Sequence, residues 1–573
     1  MSAEPTATPD PYDRPPSPWL RHSDRLWAAA VFAGTVVLTV MAFPPYHAPE
    51  FAFAFAAPAT FWAYRRPSFR LYAGTVFAAQ AVAWAILLGW LGHVTWAGPI
   101  LLGPVVGGWI GIWYLAAWWT IPRMAGRPTP VRLAAMLGLA AAWVILEWTR
   151  TWVLGGFPWL PLAASQWRTE SVLQVAAYTG AGGVSFVLVA VNVAFAAYLN
   201  RLLFEGPAVE RRRNRRLLRD EPDIHADEPR DWGFRRRSQE FLLALFLLLA
   251  CLCLFLVEVQ PLSRPSFAVP FARVGFVQPD IPQSLKWDPN EAPGIVAILS
   301  RETLAAGGSR PDIILWPEAS APVSVKDDPV MRGIAERLAT RVQAPLLVGS
   351  VAFEGGAGSE RWYNAAMLVT PERGLARNYY AKRKLVPFGE YVPLRPLLGW
   401  LSKFVPIPDD ATPGTDSDPL VVGLRDNAAA LGPLICYEDI FPQLARASAL
   451  AGSDALVVLT NDAWYGEGAA AYQHAAHSVL RAVETRRPVL RCGNGGWSGW
   501  IDEFGGVRPI VEGGTVYFRG ERVLGVVRDS RWIGKNSFYV EHGDWFVAAC
   551  AGLVLFGVAM ISAGSPLSGR ART

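Results

Sequence analysis

Three side chains between residues 270 and 440 could do covalent chemistry together. Glu318 closes the apolar run Ile313-Ile314-Leu315-Trp316-Pro317-Glu318. Lys382 lies in Tyr380-Ala381-Lys382-Arg383-Lys384-Leu385-Val386-Pro387-Phe388-Gly389-Glu390. Cys436 ends Leu434-Ile435-Cys436 and is followed by Tyr437 and Glu438. A thiolate is a strong nucleophile, but a free thiol has a pKa of about 8.5 and needs a base or a nearby cation to ionise. A carboxylate can be that base. An ammonium can stabilise the thiolate and then the oxyanion of a tetrahedral intermediate. Taken singly, each residue has a plainer explanation. A cysteine in an apolar strand is usually inert core, and a glutamate at a strand end is usually a cap or salt-bridge partner. The separations of 64 and 54 residues carry no local geometry of their own.

The elements that must position these groups are short and apolar. Strands are expected at Arg273–Val277, Asp312–Trp316, Pro345–Val351, Ala365–Val369, Leu431–Cys436, Ala455–Thr460 and Pro488–Arg491, all rich in Val, Ile and Leu. Helical stretches are expected at Gly294–Ala306, Pro329–Val342 and Ala469–Glu484. This alternation predicts an α/β domain over residues 260–540 with a buried sheet. Sites in such folds gather at strand ends, where loops meet a rigid sheet.

The rest of the chain is far more apolar. Of 573 residues, 52% are hydrophobic and 18% charged, below the roughly 25% charge of a soluble domain. The mean hydropathy is +0.22. This excludes a disordered, collagen-like or wholly soluble chain, and five cysteines exclude a disulfide scaffold. Segments near the roughly 20 apolar residues a bilayer span needs are Leu26–Phe43, Leu71–Leu91, Pro99–Trp119, Val184–Leu199, Phe241–Val257 and Trp545–Ala563. Two more, Phe51–Tyr64 and Leu133–Leu146, are shorter and could be interfacial or re-entrant. If all eight cross and the N-terminus is cytoplasmic, the inside loops hold Arg65, Arg66 and Arg70, then Arg123, Arg127 and Arg132, then a basic stretch from Arg201 to Arg237. The short outside loops hold only Arg150 and Arg168. That is the positive-inside pattern, and removing one weak segment breaks it. The expected organisation is a disordered cytoplasmic N-terminus at 1–24, seven spans over 25–258, an extracytoplasmic domain at 260–540, a last span at 545–563 and a cytoplasmic tail at 564–573. The basic stretch between two spans serves as a topology signal and not as a nucleic-acid site. The first apolar segment, followed by Phe43-Pro44-Pro45 and no small-residue cleavage site, is expected to be retained.

The order of motifs supplies what spacing cannot. Trp316-Pro317-Glu318, Lys382 with its Leu-Val-Pro-Phe-Gly-Glu tail, Ile435-Cys436-Tyr437-Glu438 and Leu459-Thr460-Asn461-Asp462-Ala463-Trp464-Tyr465-Gly466 follow one another. This resembles the nitrilase, or carbon-nitrogen hydrolase, superfamily, whose fold is a four-layer αββα sandwich with a Glu-Lys-Cys triad. The membrane frame and the Leu-Val-Pro-Phe-Gly-Glu-Tyr-Val-Pro run resemble the apolipoprotein N-acyltransferase family within it. So do Val277-Gln278-Pro279-Asp280-Ile281-Pro282-Gln283 with Lys286-Trp287, and Glu147-Trp148-Thr149-Arg150 leading to Gly156-Phe157-Pro158-Trp159. The resemblance covers about residues 25–563. It departs at Cys492-Gly493-Asn494-Gly495-Gly496-Trp497, where a Thr-Asn-Thr-Gly-Ile-like run is expected, which puts the nearby pocket wall in doubt.

The resemblance implies a polytopic membrane enzyme of the bacterial cytoplasmic membrane. Glu318 would be the base, Cys436 the nucleophile and Lys382 the oxyanion partner. A fatty acyl group would pass from a phospholipid to Cys436 as a thioester, then to the α-amine of a diacylglyceryl-cysteine lipoprotein, with no metal or organic cofactor. The chain is expected to be a monomer. Two alternatives remain open: a membrane-tethered amidase in which water resolves the thioester, and a non-catalytic scaffold or transporter, which the absence of charge deep in the clear spans disfavours. Glu390, Tyr437 and Glu438 are supporting candidates, since Glu390 could orient Lys382. Trp159, Trp287 and Trp464 are candidate substrate-contacting residues, although for each a structural or interfacial role is the plainer explanation. The apolar stretch Leu394–Pro408 is expected to be a lid or membrane-dipping arm. Cys251, Cys253 and Cys550 read as packing residues in spans, and Cys492 as free and buried. His474 and His477 stand three apart on a helix without a further ligand set. Gly103, Gly107 and Gly111 form a small-residue face for close helix packing.

Overall fold

The computed structural model describes residues 18–46, 48–205, 238–259, 267–355, 361–393, 395–398, 410–425 and 427–563. Residues 1–17, the expected C-terminal tail, the basic stretch beyond residue 205 and most of the Leu394–Pro408 arm lie outside them, whereas residues 18–24, expected to be disordered, already belong to the helix Pro18–Met41. Among the described residues, seven helices are long and apolar enough to cross a membrane: Ser23–Met41, Phe69–Leu87, Gly98–Met124, Thr129–Thr149, Ala181–Phe204, Gln239–Glu258 and Trp545–Ala563. The short segment Leu133–Leu146 is thus part of a full-length helix. Phe51–Tyr64 is not a single helix. It forms a 3-10 turn, Pro49–Phe53, and a short α-helix, Ala57–Ala63.

That broken segment nevertheless returns the chain from one end of the helix set to the other. At one end of the helix set, Phe43 packs on Trp84 with ring centroids 6.1 Å apart, and Gln80 Nε2 lies 3.4 Å from Thr39 Oγ1. At the other end, the Arg65 guanidinium sits 5.0 Å from the Trp27 ring, and Phe61 packs on the same ring at 5.8 Å. The helices ending at Met41 and Leu87 therefore run parallel. Residues 44–66 must return over the depth of the first helix, about 20 Å at about 1.5 Å per residue. Asn192 supports this irregular backbone from a neighbouring helix, accepting from Ala56 N–H and donating to Ala52 O, both at 2.8 Å. Exposed polar backbone at membrane depth is tolerated only when protein satisfies it in this way.

The remaining long helices pack as antiparallel neighbours. A Cβ on Gly103 would meet Ala85 backbone at 2.7 Å, and one on Gly107 would meet the Gln80 carbonyl at 2.7 Å. The small-residue face is thus what lets two helix backbones touch. Cys251 and Cys550 are buried among helices, whereas Cys253, expected to pack, points outward.

The α/β domain is two packed six-stranded sheets. One has the order β12-β1-β2-β3-β4-β5 and the other β11-β10-β9-β8-β7-β6. In the first, β1 (Ala268–Gln278), β2 (Ile313–Trp316) and β3 (Leu346–Glu354) are parallel, followed by β4 (Arg361–Thr370) and β5 (Gly374–Ala381). In the second, β6 (Leu420–Gly423) pairs antiparallel with β7 (Ala428–Ile435). β8 (Ala455–Thr460) and β9 (Val489–Gly493) continue it in parallel, and β10 (Gly499–Ile501) and β11 (Val507–Pro509) close it. β12 (Gly520–Asp529) returns to pair antiparallel with β1. The central parallel strands are covered on both faces, which is why they read as unbroken Val/Ile/Leu runs. Phe276, Leu315, Leu347, Val457, Leu459 and Leu490 fill the space between the sheets. Helices Ala292–Gly308 and Pro329–Val342 cover the outer face of the first sheet. Pro442–Leu450 and Ala469–Thr485 cover the second. The result is the four-layer αββα sandwich that the motif order implied.

Candidate active site

Each of the three chemistry-bearing residues leaves a strand end. Glu318 follows β2 through Pro317, in a turn that lies directly against β3. A Cβ on Gly349 would stand 2.1 Å from the Pro317 carbonyl oxygen, so only glycine leaves room for this turn. Lys382 follows β5, its N–H bonded to Asn364 O at 2.8 Å. Cys436 follows β7 and opens the 3-10 turn Cys436–Ile440. Its φ of +49° is in the left-handed region that a side-chain-bearing residue seldom adopts. Strain of this kind is kept where the surroundings over-determine it, typically at functional sites.

The polar groups converge. Lys382 Nζ lies 3.1 Å from Glu318 Oε1 and 2.9 Å from Glu390 Oε1. Asn364 Nδ2 donates to the same two oxygens, at 2.8 Å and 3.0 Å. Val386 N–H fixes the other Glu390 oxygen at 2.8 Å. The Cys436 thiol is buried and within electrostatic reach of both Glu318 and Lys382. Burial works against charge on Glu318, but Lys382 and Lys286 outweigh it and hold the carboxyl below its usual range. Burial, then Glu318, pushes the Cys436 thiol up. Burial also opposes the Lys382 ammonium, yet Glu318, Glu390 and Cys436 hold its pKa well above normal. The resting site therefore holds a carboxylate, a protonated thiol and an ammonium, which is the protonation a base-activated nucleophile needs.

The supporting residues divide by what they touch. Glu390 binds Lys382 directly. Glu438 does not. It accepts from Ile435 N–H at 2.7 Å and Tyr380 O–H at 2.8 Å through one oxygen, and from Arg383 N–H at 2.6 Å and Lys384 N–H at 3.1 Å through the other. It therefore ties the cysteine turn to the lysine segment. Tyr437 O–H donates to Gly156 O at 2.9 Å, joining that turn to the helix set. Trp159 is 2% exposed and donates to Gln473 Oε1 at 2.9 Å, a packing role. Trp287 and Trp464 are 51% and 37% exposed and remain open to a substrate.

Several residues carry more of the site than sequence reasoning gave them. Beneath the cysteine turn, Asp439, His474, Asp462 and Arg491 form a closed buried ring. His474 lies 2.8 Å from each aspartate, and Arg491 lies 2.9 Å from Asp439 and 3.1 Å from Asp462. His474 is thus an ion-pair member, while His477 Nε2 accepts from Leu160 N–H at 3.1 Å. Among the described residues no cluster suits a metal. Asn494, in the divergent 492–497 stretch, bonds Ile281 N–H at 3.0 Å, Ile281 O at 2.8 Å and Asn461 Oδ1 at 2.9 Å. That stretch therefore clamps the loop carrying Lys286. Cys492 is free and buried, with Sγ 3.4 Å from Val277 O and Leu315 O. The signal for Asn364 and Arg491 was in the sequence as polar residues inside otherwise apolar strands.

The comparisons with known proteins agree with this fold. The family model described as the apolipoprotein N-acyltransferase N-terminal domain matches residues 35–194, and the carbon-nitrogen hydrolase model matches residues 273–526. An apolipoprotein N-acyltransferase of Geobacter metallireducens is 35% identical over 422 residues, covering 73% of this chain and 72% of that protein. The chain belongs to the apolipoprotein N-acyltransferase family. Other apolipoprotein N-acyltransferases, from Methylococcus capsulatus and Pseudomonas aeruginosa, are 30% and 31% identical and cover 79% and 74% of this chain, and 77% and 73% of their own lengths. Among solved structures, a variant of a Nesterenkonia amidase from the nitrilase superfamily aligns with a TM-score of 0.35 at 17% identity, over 49% of this chain and 97% of its own. The chain is thus a multi-pass membrane acyltransferase whose nitrilase-type domain brings Glu318, Lys382 and Cys436 together from the ends of three strands in two sheets.

Proposed function

We propose that this acyltransferase moves a fatty acyl group from a phospholipid to the N-terminal α-amine of a diacylglyceryl-cysteine lipoprotein, through a thioester on Cys436. Glu318 takes the thiol proton, and the thiolate attacks the ester carbonyl. The oxyanion that forms is stabilised by Lys382, which Glu390 and Asn364 orient. Collapse breaks the ester C–O bond, and the leaving lysophospholipid alkoxide takes the proton from Glu318. The lipoprotein amine then attacks the thioester and gives a proton to Glu318. The thiolate leaves, is reprotonated, and an amide remains. Splitting ester aminolysis into two exchanges replaces one hard step by two easier ones. The chemistry calls for no metal or organic cofactor.

The observation that carries this reading is the ionised Glu318 carboxylate, bridged to Lys382 at 3.1 Å beside a protonated thiol on a left-handed turn. The α/β domain sits at the end of the helix set opposite Arg65, Arg123, Arg127 and Arg132, so positive-inside bias supports an extracytoplasmic domain on the cytoplasmic membrane. Both substrates are membrane-anchored, and a site tethered at the same surface raises their effective concentration. Mass spectrometry of the purified full chain should find a fatty acyl adduct on the Cys436 peptide. Adding a diacylated lipopeptide should discharge it and yield the triacylated product, and Cys436→Ala should show neither. Discharge only to free fatty acid would favour the amidase-like hydrolase alternative instead.

A further inference from the structure

Lys286 lies in the loop after β1 and takes no part in the steps above. Its side chain is 3% exposed, and Nζ donates to the main-chain oxygen of Glu318 at 3.0 Å. Among the described residues no carboxylate pairs with it. The loop is held in place from the opposite sheet, by Asn494 on Ile281 and by Asn461 Nδ2 on Gln283 Oε1 at 2.7 Å. A lysine buried without a carboxylate partner is costly, so the charge balance around it is informative. Glu318 and Glu390 each bring a negative charge, and Lys382 answers both with a single positive one. The cluster is left with an excess negative charge just where a thiolate must form.

We propose that Lys286 is the second cation of the active site. Held on the Glu318 main chain, it supplies the positive charge that the Cys436 thiolate and the later oxyanion require, because the charge of Lys382 is divided between two carboxylates. The inference rests on Cys436 being the nucleophile. The charged groups facing the thiol are Glu318, Lys382, Lys286 and Asp462, the last already paired with Arg491 and His474. Burial brings the Lys286 ammonium down to about 8, against the pull of Glu318 and Cys436, with Lys382 adding to the lowering. The cation is therefore present at neutral pH and lost as pH rises through about 8.

Two measurements on the full chain in detergent test this. The first is the pH profile of iodoacetamide alkylation at Cys436, read on its peptide by mass spectrometry. Lys286→Met should move the midpoint up by about one unit and slow acyl-adduct formation by about tenfold, the equivalent of that unit, while Lys286→Arg restores both. An unshifted profile in a folded Met variant overturns the proposal. The second holds even if the Met variant fails to accumulate. Acylation by the wild type should fall above about pH 8, and Lys286→Arg, which cannot lose its proton, should abolish that fall. Identical wild-type and Arg profiles would also overturn it. An adduct persisting in Cys436→Ala would instead sink the nucleophile assignment, so the two failures are distinguishable.

Discussion

Glu390 and Glu438 are both carboxylates close to the lysine segment, yet they hold different things. Glu390 grips the Lys382 ammonium, whereas Glu438 grips only backbone N–H groups and one tyrosine hydroxyl. Changing each to glutamine should therefore fail differently. Glu390→Gln removes one of two charges that orient Lys382, so kcat for lipopeptide acylation should fall by about tenfold or more, as loss of an oriented electrostatic contact commonly costs, with the melting temperature close to wild type. Glu438→Gln turns an amide N–H₂ toward donors, and unmet buried bonds cost about 1–3 kcal/mol. Its melting temperature should drop by several degrees. If both variants lost activity at unchanged stability, the division would be wrong. The triad was legible in the sequence because Trp-Pro-Glu, the lysine run and Ile-Cys-Tyr-Glu are contiguous text. What Glu438 does was not, because its partners Ile435, Tyr380, Arg383 and Lys384 come from two strands on different sheets. Lys286 was visible as part of a motif, but its burial without a carboxylate depends on which loop lands on Glu318.

At the scale of elements, the helix Ala469–Thr485 is buried on every side from Gln473 onward. Toward the sheet, its His474 closes the ring with Asp439, Asp462 and Arg491, and so joins the cysteine turn, the end of β8 and the middle of β9. Burial and Arg491 oppose charge on His474, but Asp439 and Asp462 win and push its pKa up to about 9. Its pKa in the unfolded chain is about 6.5. A group with a raised folded pKa contributes stability that is complete below about 6.5 and lost as pH climbs through about 9. The wild type should therefore melt several degrees above His474→Gln at pH 6, and the gap should close by pH 9.5, measured by thermal unfolding in detergent. A gap that stays constant with pH would mean the ring is not an ion-pair device. The long apolar strands and the helices Pro329–Val342 and Ala469–Thr485 could be read from sequence because both periodicity and composition agreed. β5, β6, β10, β11 and β12 could not. β12 reads Gly-Glu-Arg-Val-Leu-Gly-Val-Val-Arg-Asp and sits at a sheet edge, where exposure permits charge and blurs the apolar pattern.

For the whole molecule, the decisive contacts join the α/β domain to the helix set. Gln473 accepts from the indoles of Trp90 at 3.0 Å and Trp159 at 2.9 Å, and donates to Pro44 O at 3.1 Å and Leu87 O at 3.0 Å. Tyr437 reaches Gly156 from the turn that bears the nucleophile. The domain is therefore seated on one end of the crossings, and its side of the membrane is set by how many crossings precede it. Among the described residues, six long helices come before it, and six crossings would bring the chain back to the side where it began. The broken segment Pro49–Ala63 makes the count seven. This is the least helix-like part of the frame, and its crossing is inferred from Phe43 meeting Trp84 at one end and Arg65 meeting Trp27 at the other. Single cysteines placed at Arg66 and at exposed Glu467, in a chain with Cys253 replaced, test it in intact cells with a membrane-impermeant maleimide. Glu467→Cys should label from outside, and Arg66→Cys only after the membrane is opened. Five long helices separate the two positions, so they lie on opposite sides in either case. The reverse pattern, Arg66→Cys labelled from outside and Glu467→Cys only after the membrane is opened, would mean that residues 44–66 do not cross beneath a cytoplasmic N-terminus, and the site would face the cytoplasmic leaflet, away from the diacylated amine it is proposed to acylate.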